Sequence, residues 1–253
     1  MSAVCLIPLG VGEAFAARHY TTCLALGVDD DWLLIECPHP IRKMLREATT
    51  AAGRPFDLDR VRGVAVSHLH ADHACGLEDF GFYSYFALGR RATVLAHPDV
   101  SARLWDGLLA AGMDTTRVGP GTPPIARRLD DYFDVISLCK TSPVVFGPFA
   151  VECRPTFHPI PTTAFRIRVA GRTVGFSADT AFDPALIDWL DAADLIVHEA
   201  TTNDLTGVHT PYSRLATLPE SLRRKMRLIH YPDGFEDEPR AIEPLHQGRC
   251  YEV

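Results

Sequence analysis

Seven side chains of the types that bind divalent metal ions lie at the ends of strand-like runs in this chain. Four of them fall within residues 67–73, whose sequence is SHLHADH. The other three are His158, Asp179 and His230. Neutral imidazole and carboxylate are the ligands that zinc and similar ions prefer. Seven such side chains are too many for one tetrahedral ion and about right for two, and two-ion sites most often catalyse hydrolysis.

The SHLHADH segment is a specific signal for a metal site because it holds four ligand-type side chains close together. A single histidine after a strand carries little weight, because histidine is moderately buried in all proteins. Three imidazoles and a carboxylate in one strand-to-helix turn have no evident use in a core, where each unpaired polar group costs about 1–3 kcal/mol. The alternative is a solvated, charged turn that binds no metal. The three later ligand-type side chains argue against that alternative.

The elements that must position these side chains are predicted strands. Residues 61–67 lead into the cluster, and residues 149–158, 173–178 and 227–231 lead to the three later side chains. Strand ends hold ligands rigidly, as a metal site requires. The remaining strand-like runs are residues 4–9, 22–26, 32–37, 92–97, 164–169 and 195–198.

Helices are predicted between these strands. Apolar residues at helical spacing indicate helices at residues 41–52 and 99–111. Residues 183–184 (DP) and 210–211 (TP) each combine an N-cap residue with a proline at the first helical position, which indicates two further helices. The alternation predicts an α/β (α+β) fold in which mixed sheets are covered by helices.

Length and composition fit one globular domain over residues 1–253. Hydrophobic residues make up 47% of the 253 positions, and α/β enzymes often run this long as a single domain. Residues 112–131 are rich in glycine, proline and threonine and have no period. We expect this segment to be a loop or lid insertion near the site.

Charge and cysteine usage narrow the class of protein. The net charge of −7 does not favour nucleic-acid binding. Seven cysteines without a C-x-x-C pair indicate buried, reduced thiols in a cytoplasmic protein rather than a disulfide framework. Cys75, beside the ligand segment, is the one thiol whose reactivity the sequence leaves open. No apolar run reaches the length of a membrane span, so no membrane association is expected.

The ligand segment resembles the signature of the metallo-β-lactamase-fold hydrolases. Residues 175–180 (GFSADT) are similar to the strand of that family that carries a bridging carboxylate, and residues 8–12 (PLGVG) resemble its first turn. The resemblance spans almost the whole chain. It implies a four-layer αββα sandwich of two mixed β-sheets, with the metal ions at one edge of both sheets.

The same resemblance implies a division of the ligands between two ions. One ion is bound by His68, His70 and His158, the other by Asp72, His73 and His230, and Asp179 bridges them. The ligand types predict two divalent ions, with Zn²⁺ as the first candidate and Mn²⁺ or Fe²⁺ as alternatives that also suit N/O ligands. A hydroxide between the ions is the expected nucleophile, because the metals lower the pKa of bound water.

A further motif points to a branch of the family. Residues 196–201 (IVHEAT) and the later His209 look like motifs of the ribonuclease-Z-like phosphodiesterases. In that group the later histidine faces the scissile phosphate and the glutamate orients it. Carried over, His209 donates a proton to the reacting group or stabilises charge on it, and Glu199 holds the ring in the useful tautomer. With Asp72 they form the expected catalytic set. The plainer interpretation is that Glu199 caps Thr201 or a nearby helix and that His209 is a surface residue.

The spacing of the later ligands departs from ribonuclease Z. In that enzyme a tRNA-gripping arm lies between the third histidine and the bridging aspartate, whereas here a strand, a turn and a strand fill residues 158–179. The acidic charge also argues against tRNA. A small ester such as a cyclic nucleotide suits these residues better, and Thr162, Thr163 and Arg166 are candidates to bind its anionic group.

Two other classes of function stay open. One is a lactonase or thioesterase on the same scaffold, which we expect to use a tyrosine over the metals. The candidates are Tyr20, Tyr83, Tyr85 and Tyr212. The other is a metal-binding sensor without turnover, which the complete ligand set disfavours. The sequence leaves the substrate, the resident metal and the oligomeric state open, a homodimer included.

Overall fold

A computed structural model describes residues 3–139 and 141–253 of the chain. The described residues form two large sheets and one small hairpin. The strands, in chain order, are β1 (Val4–Gly10), β2 (Cys23–Val28), β3 (Asp31–Ile35), β4 (Val61–Ala65), β5 (Ala92–Ala96), β6 (Thr115–Thr116), β7 (Ile125–Ala126), β8 (Phe133–Ser137), β9 (Val144–Phe146), β10 (Phe149–Pro155), β11 (Thr163–Val169), β12 (Arg172–Phe176), β13 (Leu195–Glu199), β14 (Met226–Ile229) and β15 (Tyr251–Glu252).

Short helices connect the strands. In chain order they are α1 (Ile41–Ala51), α2 (Ala71–Ala74), α3 (Leu77–Phe82), α4 (Pro98–Ser101), α5 (Ala110–Met113), α6 (Leu129–Tyr132), α7 (Pro184–Leu190), α8 (Tyr212–Leu215) and α9 (Glu220–Arg224). Two π-helical turns, Tyr83–Ala87 and Trp105–Leu109, and two 3₁₀ turns, Leu58–Arg60 and Phe235–Asp237, complete the helical elements of the described chain. Within the described ranges, no helix has the length and apolar character needed to cross a membrane.

Both large sheets are mixed, as expected. The first has the order β15-β1-β2-β3-β4-β5-β8 and the second β14-β13-β12-β11-β10-β9. In the first sheet β1, β2 and β3 are antiparallel, and β3, β4, β5 and β8 are parallel. In the second sheet β9 to β12 are antiparallel and β12, β13 and β14 are parallel.

The core lies on both faces of the first sheet. Leu24 and Leu26 of β2 pack into the cluster that also holds Phe165 and Phe176 of the second sheet. Their neighbours on β2 point the other way, into a second cluster with Met44 of α1. Because alternate residues of a strand face opposite sides, an almost continuously apolar strand indicates a sheet covered on both faces. The metallo-β-lactamase sandwich expected from the resemblance is confirmed.

Three local expectations need correction. The predicted helix at residues 99–111 is interrupted between α4 and α5 by the π-helical turn Trp105–Leu109. Thr210 is not an N-cap: its hydroxyl donates to the carbonyl of Thr180, and α8 begins after Pro211. The segment 112–131 is not without structure, since it contains the β6–β7 hairpin and the start of α6. Its role as a lid stays a prediction.

The expectation of buried, reduced thiols holds for Cys23, Cys37 and Cys153 and is wrong for the other four cysteines, of which Cys75 and Cys139 are exposed thiols. Cys5 and Cys250 form a disulfide, with Cα atoms 6.1 Å apart. β15 pairs with β1 at Cys5 and Leu6, which brings the last residues of the chain beside the first strand. Sequence spacing cannot reveal a pairing across 245 positions.

Candidate functional site

The ligand-type residues meet because several strands end at one edge. β10, β12, β13 and β14 run in the same direction, so their carboxyl ends lie at the same edge of the second sheet. β4 delivers residues 67–73 from the first sheet, and the Ser67 carbonyl accepts the backbone N–H of Thr163 from the second. The structure brings all seven predicted ligand residues into one cluster, in groups whose ligand atoms lie within 4.8 Å of one another.

The first half of this cluster is made of His68, His70 and His158. His70 Nδ1 lies 3.1 Å from Nε2 of both His68 and His158. Asp179 Oδ2 lies 3.8 Å from the same two Nε2 atoms. Nitrogen ligands at 2.0–2.1 Å from a tetrahedral ion are roughly 3.4 Å apart. These separations fit four ligands of one ion.

The second half is made of Asp72, His73 and His230. His73 Nε2 lies 3.2 Å from Asp72 Oδ2 and 3.4 Å from Asp179 Oδ1. His230 Nε2 lies 3.4 Å from Asp179 Oδ2. Asp179 therefore faces both halves, one oxygen toward His73 and the other toward His68, His158 and His230. A carboxylate in that position is suited to bridge two cations.

His73 supplies an independent test of whether a cation fits. Both of its ring nitrogens are buried and have no hydrogen-bond partner among the described residues. Carboxylates of Glu36, Asp72 and Asp179 nevertheless surround the ring at 3.2–3.7 Å. Leaving a buried polar atom without a partner costs about 1–3 kcal/mol. A divalent ion on Nε2 would satisfy one of these atoms, so the donor set fits a metal ion.

Four of the seven ligand residues have pKa shifts that favour the metal-binding form, whereas nearby carboxylates raise the pKa of His73. Burial, together with the nearby His73, holds the pKa of His68 well below its ordinary value. Burial lowers the pKa of His158 and lowers that of His230 to about 4. Burial would raise the pKa of Asp179, but His230 and His73 outweigh it and the pKa lies well below the usual range. Neutral imidazoles and an ionised carboxylate are the forms that bind metal.

Two residues that the sequence did not single out support the second half. Glu36 is fully buried, and one of its oxygens accepts the backbone N–H of Ser67 at 3.2 Å while the other lies 3.7 Å from His73 Nδ1. Thr22 donates to the carbonyl of Gly12, so its oxygen can accept from His230 Nδ1, 2.9 Å away. That bond leaves His230 Nε2 facing Asp179. The sequence signal that could have identified Glu36 was its position, as an acidic residue directly after an apolar strand.

His209 and Glu199 form a hydrogen-bonded pair beside the cluster. His209 Nδ1 lies 3.0 Å from Glu199 Oε2 and 3.9 Å from Asp179 Oδ2. Glu199 is buried, and its other oxygen accepts the backbone N–H of Thr180. Burial would lower the pKa of His209, but the bond to Glu199 outweighs it and raises the pKa to about 9. Glu199 therefore orients an imidazole, and the interpretation of it as a cap for Thr201 is wrong.

The predicted anion-binding residues separate into two groups. Thr162 and Thr163 are buried and line a cavity that also contacts His158. Arg166 is engaged elsewhere: its guanidinium pairs with Glu152 and donates to the carbonyl of Trp189 at 3.1 Å. The expectation for Arg166 is therefore wrong.

Solved structures with similar folds are metallo-β-lactamase-fold proteins and their relatives. YhfI from Bacillus subtilis, described as a metallo-β-lactamase fold protein, is 19% identical, with a TM-score of 0.76 over 99% of this chain and 100% of its own. Yeast PDE1 is 11% identical, with a TM-score of 0.75 over 100% of both chains. The short form of human tRNase Z is 17% identical, with a TM-score of 0.69 over 98% of both chains. These likenesses confirm the expected fold.

The sequence relatives identify one family, whereas the solved structures identify only the fold. The Anti-Pycsar protein Apyc1 of Saccharibacillus brassicae is 30% identical over 97% of this chain and 98% of its own length. The protein of the same name from Bacillus phage 010DV004 is 32% identical over 97% of both chains. A family model described as Anti-Pycsar protein Apyc1 matches residues 4–248. This chain has the metallo-β-lactamase fold and a His/Asp cluster suited to divalent ions. By its sequence it belongs to the Anti-Pycsar protein Apyc1 family.

Proposed function

We propose that this chain is a dinuclear metal-dependent phosphodiesterase that hydrolyses a small phosphodiester, a cyclic nucleotide being the leading candidate. The observation that carries the proposal is the pair formed by His209 and Glu199, 3.0 Å apart, next to the carboxylate of Asp179. A hydrolase that relied on its metal ions alone would not need an oriented imidazole with a raised pKa beside the metal cluster.

The ligand assignment follows the two halves of the cluster. His68, His70 and His158 would hold one ion, Asp72, His73 and His230 the other, and Asp179 both. When bound, the two ions supply a water of lowered pKa and stabilise negative charge on the phosphoryl oxygens. Zinc is the first candidate, and manganese or iron also suits N/O ligands.

His209 provides the proton that the leaving group needs. Its Nδ1 is held by Glu199, and its Nε2 makes no hydrogen bond in the part of the chain that the structure describes. Burial raises the pKa of Glu199 to about 8, and the bond to Glu199 raises the pKa of His209 to about 9, so the pair holds a proton that His209 can carry. An imidazolium beside the metal cluster can protonate a leaving alkoxide as the P–O bond breaks. Buried Glu199 fixes the ring orientation and stabilises its positive charge.

The alternatives have less support. A lactonase is expected to place a tyrosine over the metals, but the four candidate tyrosines contact other groups. Tyr20 donates to Glu47, and the hydroxyl of Tyr212 accepts the backbone N–H of Ala241. Arg42 stacks on Tyr83, and Tyr85 packs on Tyr132. A sensor without turnover has no use for the pair of His209 and Glu199.

A large RNA is also a poor substrate for this site. β11 and β12 occupy the segment between His158 and Asp179, and a tight turn at Ala170 and Gly171 joins them. No arm is inserted there that could grip a tRNA. A small phosphodiester requires no such arm.

The deciding experiment is a turnover screen of the purified chain with Zn²⁺, Mn²⁺ or Fe²⁺. We expect hydrolysis of cyclic nucleotides and aryl phosphodiesters, with little turnover of lactones or thioesters. Elemental analysis should find about two ions per chain, as two-ion hydrolases require. Turnover of lactones or thioesters alone, or one ion or none after metal supplementation, would contradict the proposal.

A further inference from the structure

A cleft runs beside the first half of the metal cluster. It consists of two cavities of about 220 Å³ each. One cavity reaches Leu69 and His70, and the other reaches His158. The two share four lining residues, which are Asp99, Val100, Ile160 and Pro161. A molecule with one end at the metal cluster can therefore extend into this cleft.

The walls of the cleft combine apolar surface with two opposite charges. Leu69, Ile160 and Pro161 supply apolar surface, and Asp99 and Arg103 supply a carboxylate and a guanidinium. The side chain of Asp99 is 67% exposed, with Oδ2 3.3 Å from His97 Nδ1. The side chain of Arg103 makes no ion pair, hydrogen bond or ring contact with any described residue. Its donors are thus free for a ligand.

A helical segment of the chain forms one wall of this cleft. Asp99 and Arg103 are four residues apart, which places them on one face of a helical segment. The π-helical turn Trp105–Leu109 follows and puts Gly107 in the wall. π-bulges are frequent at functional sites. A Cβ on Gly107 would contact only Arg103 Cβ, at an ordinary 3.5 Å, so packing within the protein does not require glycine there.

We propose that this cleft binds the nucleobase of a nucleotide ester. A nucleobase has flat apolar faces and an edge that carries both hydrogen-bond donors and acceptors. The apolar wall suits the face, Asp99 can accept from an amino or ring N–H, and Arg103 can donate to a ring nitrogen or carbonyl oxygen. The inference rests on the proposed phosphodiesterase function and adds to it a subsite for the part of the substrate that does not react.

The test compares a cyclic nucleotide with methyl 4-nitrophenyl phosphate, a phosphodiester without a base. Arg103→Ala and Asp99→Asn should each raise KM for the nucleotide about tenfold, as expected for the loss of a hydrogen bond to a charged group. Neither should change KM or kcat for the methyl ester by more than about twofold. Gly107→Leu, which fills the wall with a side chain, should show the same selectivity. Arg54→Ala is the matched control, because Arg54 is an exposed arginine that lines neither cavity.

The outcomes separate this inference from the proposed function. If the wild-type chain cleaves no phosphodiester, the proposed function fails. If it cleaves nucleotides and the three variants keep the wild-type KM, only the cleft assignment is overturned. An equal rise in KM on both esters would mean that Arg103 attracts anions in general, which also overturns the assignment. Circular dichroism spectra and metal contents equal to wild type establish that the variants are folded and loaded.

Discussion

The two halves of the metal cluster differ in charge and in access. His68, His70 and His158 form a nitrogen-rich half, and burial lowers the pKa values of His68 and His158 so that they are neutral. Two of these histidines line the cleft. The other half contains Asp72 and His73 with Glu36 behind them, and His73 and Glu36 are fully buried. Nearby carboxylates outweigh burial and raise the pKa of His73 well above its usual value.

This difference assigns different tasks to the halves. The nitrogen-rich half borders the space where a substrate can lie, so it is placed to contact the substrate. The carboxylate-rich half contributes no residue to the cleft, and its carboxylates can balance the charge of a cation. Asp179 belongs to both halves, whereas His209 is outside the predicted ligand set of either.

The largest effect is expected from the residue that the halves share. Asp179→Ala removes the carboxylate that lies within 4 Å of histidines of both halves, so turnover should fall to background and metal content should drop below two. Asp188→Ala, an exposed aspartate on α7, is the control and should behave as wild type. Wild-type turnover in Asp179→Ala would show that this carboxylate does not bridge.

A variant that disrupts one half of the metal cluster should retain about one ion per chain. His73→Ala should empty mainly the carboxylate-rich half and His70→Ala mainly the nitrogen-rich half, because each removes a ligand that only one half uses. Both should lose most turnover, since two-ion chemistry needs both cations. Elemental analysis after dialysis measures the occupancy. Loss of both ions from either variant would mean that the halves do not bind independently.

His209 should affect chemistry without affecting metal. His209→Ala should slow an alkyl or nucleoside phosphodiester by about 10²–10⁴-fold, the usual contribution of general acid catalysis. A nitrophenyl ester should be slowed much less, because nitrophenolate leaves without a proton. Glu199→Gln should give a milder form of this pattern. Equal losses on both ester types would point to substrate positioning, and loss of metal would make His209 a ligand.

The smallest effect is expected from Glu36, which lies behind His73 in the carboxylate-rich half. Burial raises the pKa of Glu36. Glu36→Gln keeps the shape of the side chain but removes a carboxylate near His73, so it should weaken metal binding there by about 10–100-fold, as is typical for partners of metal ligands. Competition with a chelator should then release one of the two ions more readily. Glu152→Gln, which alters a carboxylate paired with Arg166 outside the cluster, should leave both affinities unchanged. In the His73→Ala background Glu36→Gln should add little, because the affected ligand is already gone.

The order of strands in the two sheets was not predictable from local patterns. Residues 99–111 have helical periodicity, yet a π-helical turn interrupts the helix and places Gly107 in the wall of the cleft. Thr210 has the sequence context of an N-cap, but the carbonyl of Thr180 takes its hydroxyl. At Thr210 a contact with a distant part of the chain outweighed a local preference worth about 1 kcal/mol.

The sequence by itself determined the ligand types and the strands that end at them. Metal preference depends on the chemistry of each side chain, and strand periodicity is local, so both can be read from neighbouring residues. Only the tertiary structure decided which ligands meet, because His70 and His158 are 88 positions apart and Thr22 and His230 are 208 apart. It also placed Glu36 behind His73 and turned Arg166 toward Glu152. Such contacts depend on which strand ends share an edge, and that is fixed by the packing of the whole chain.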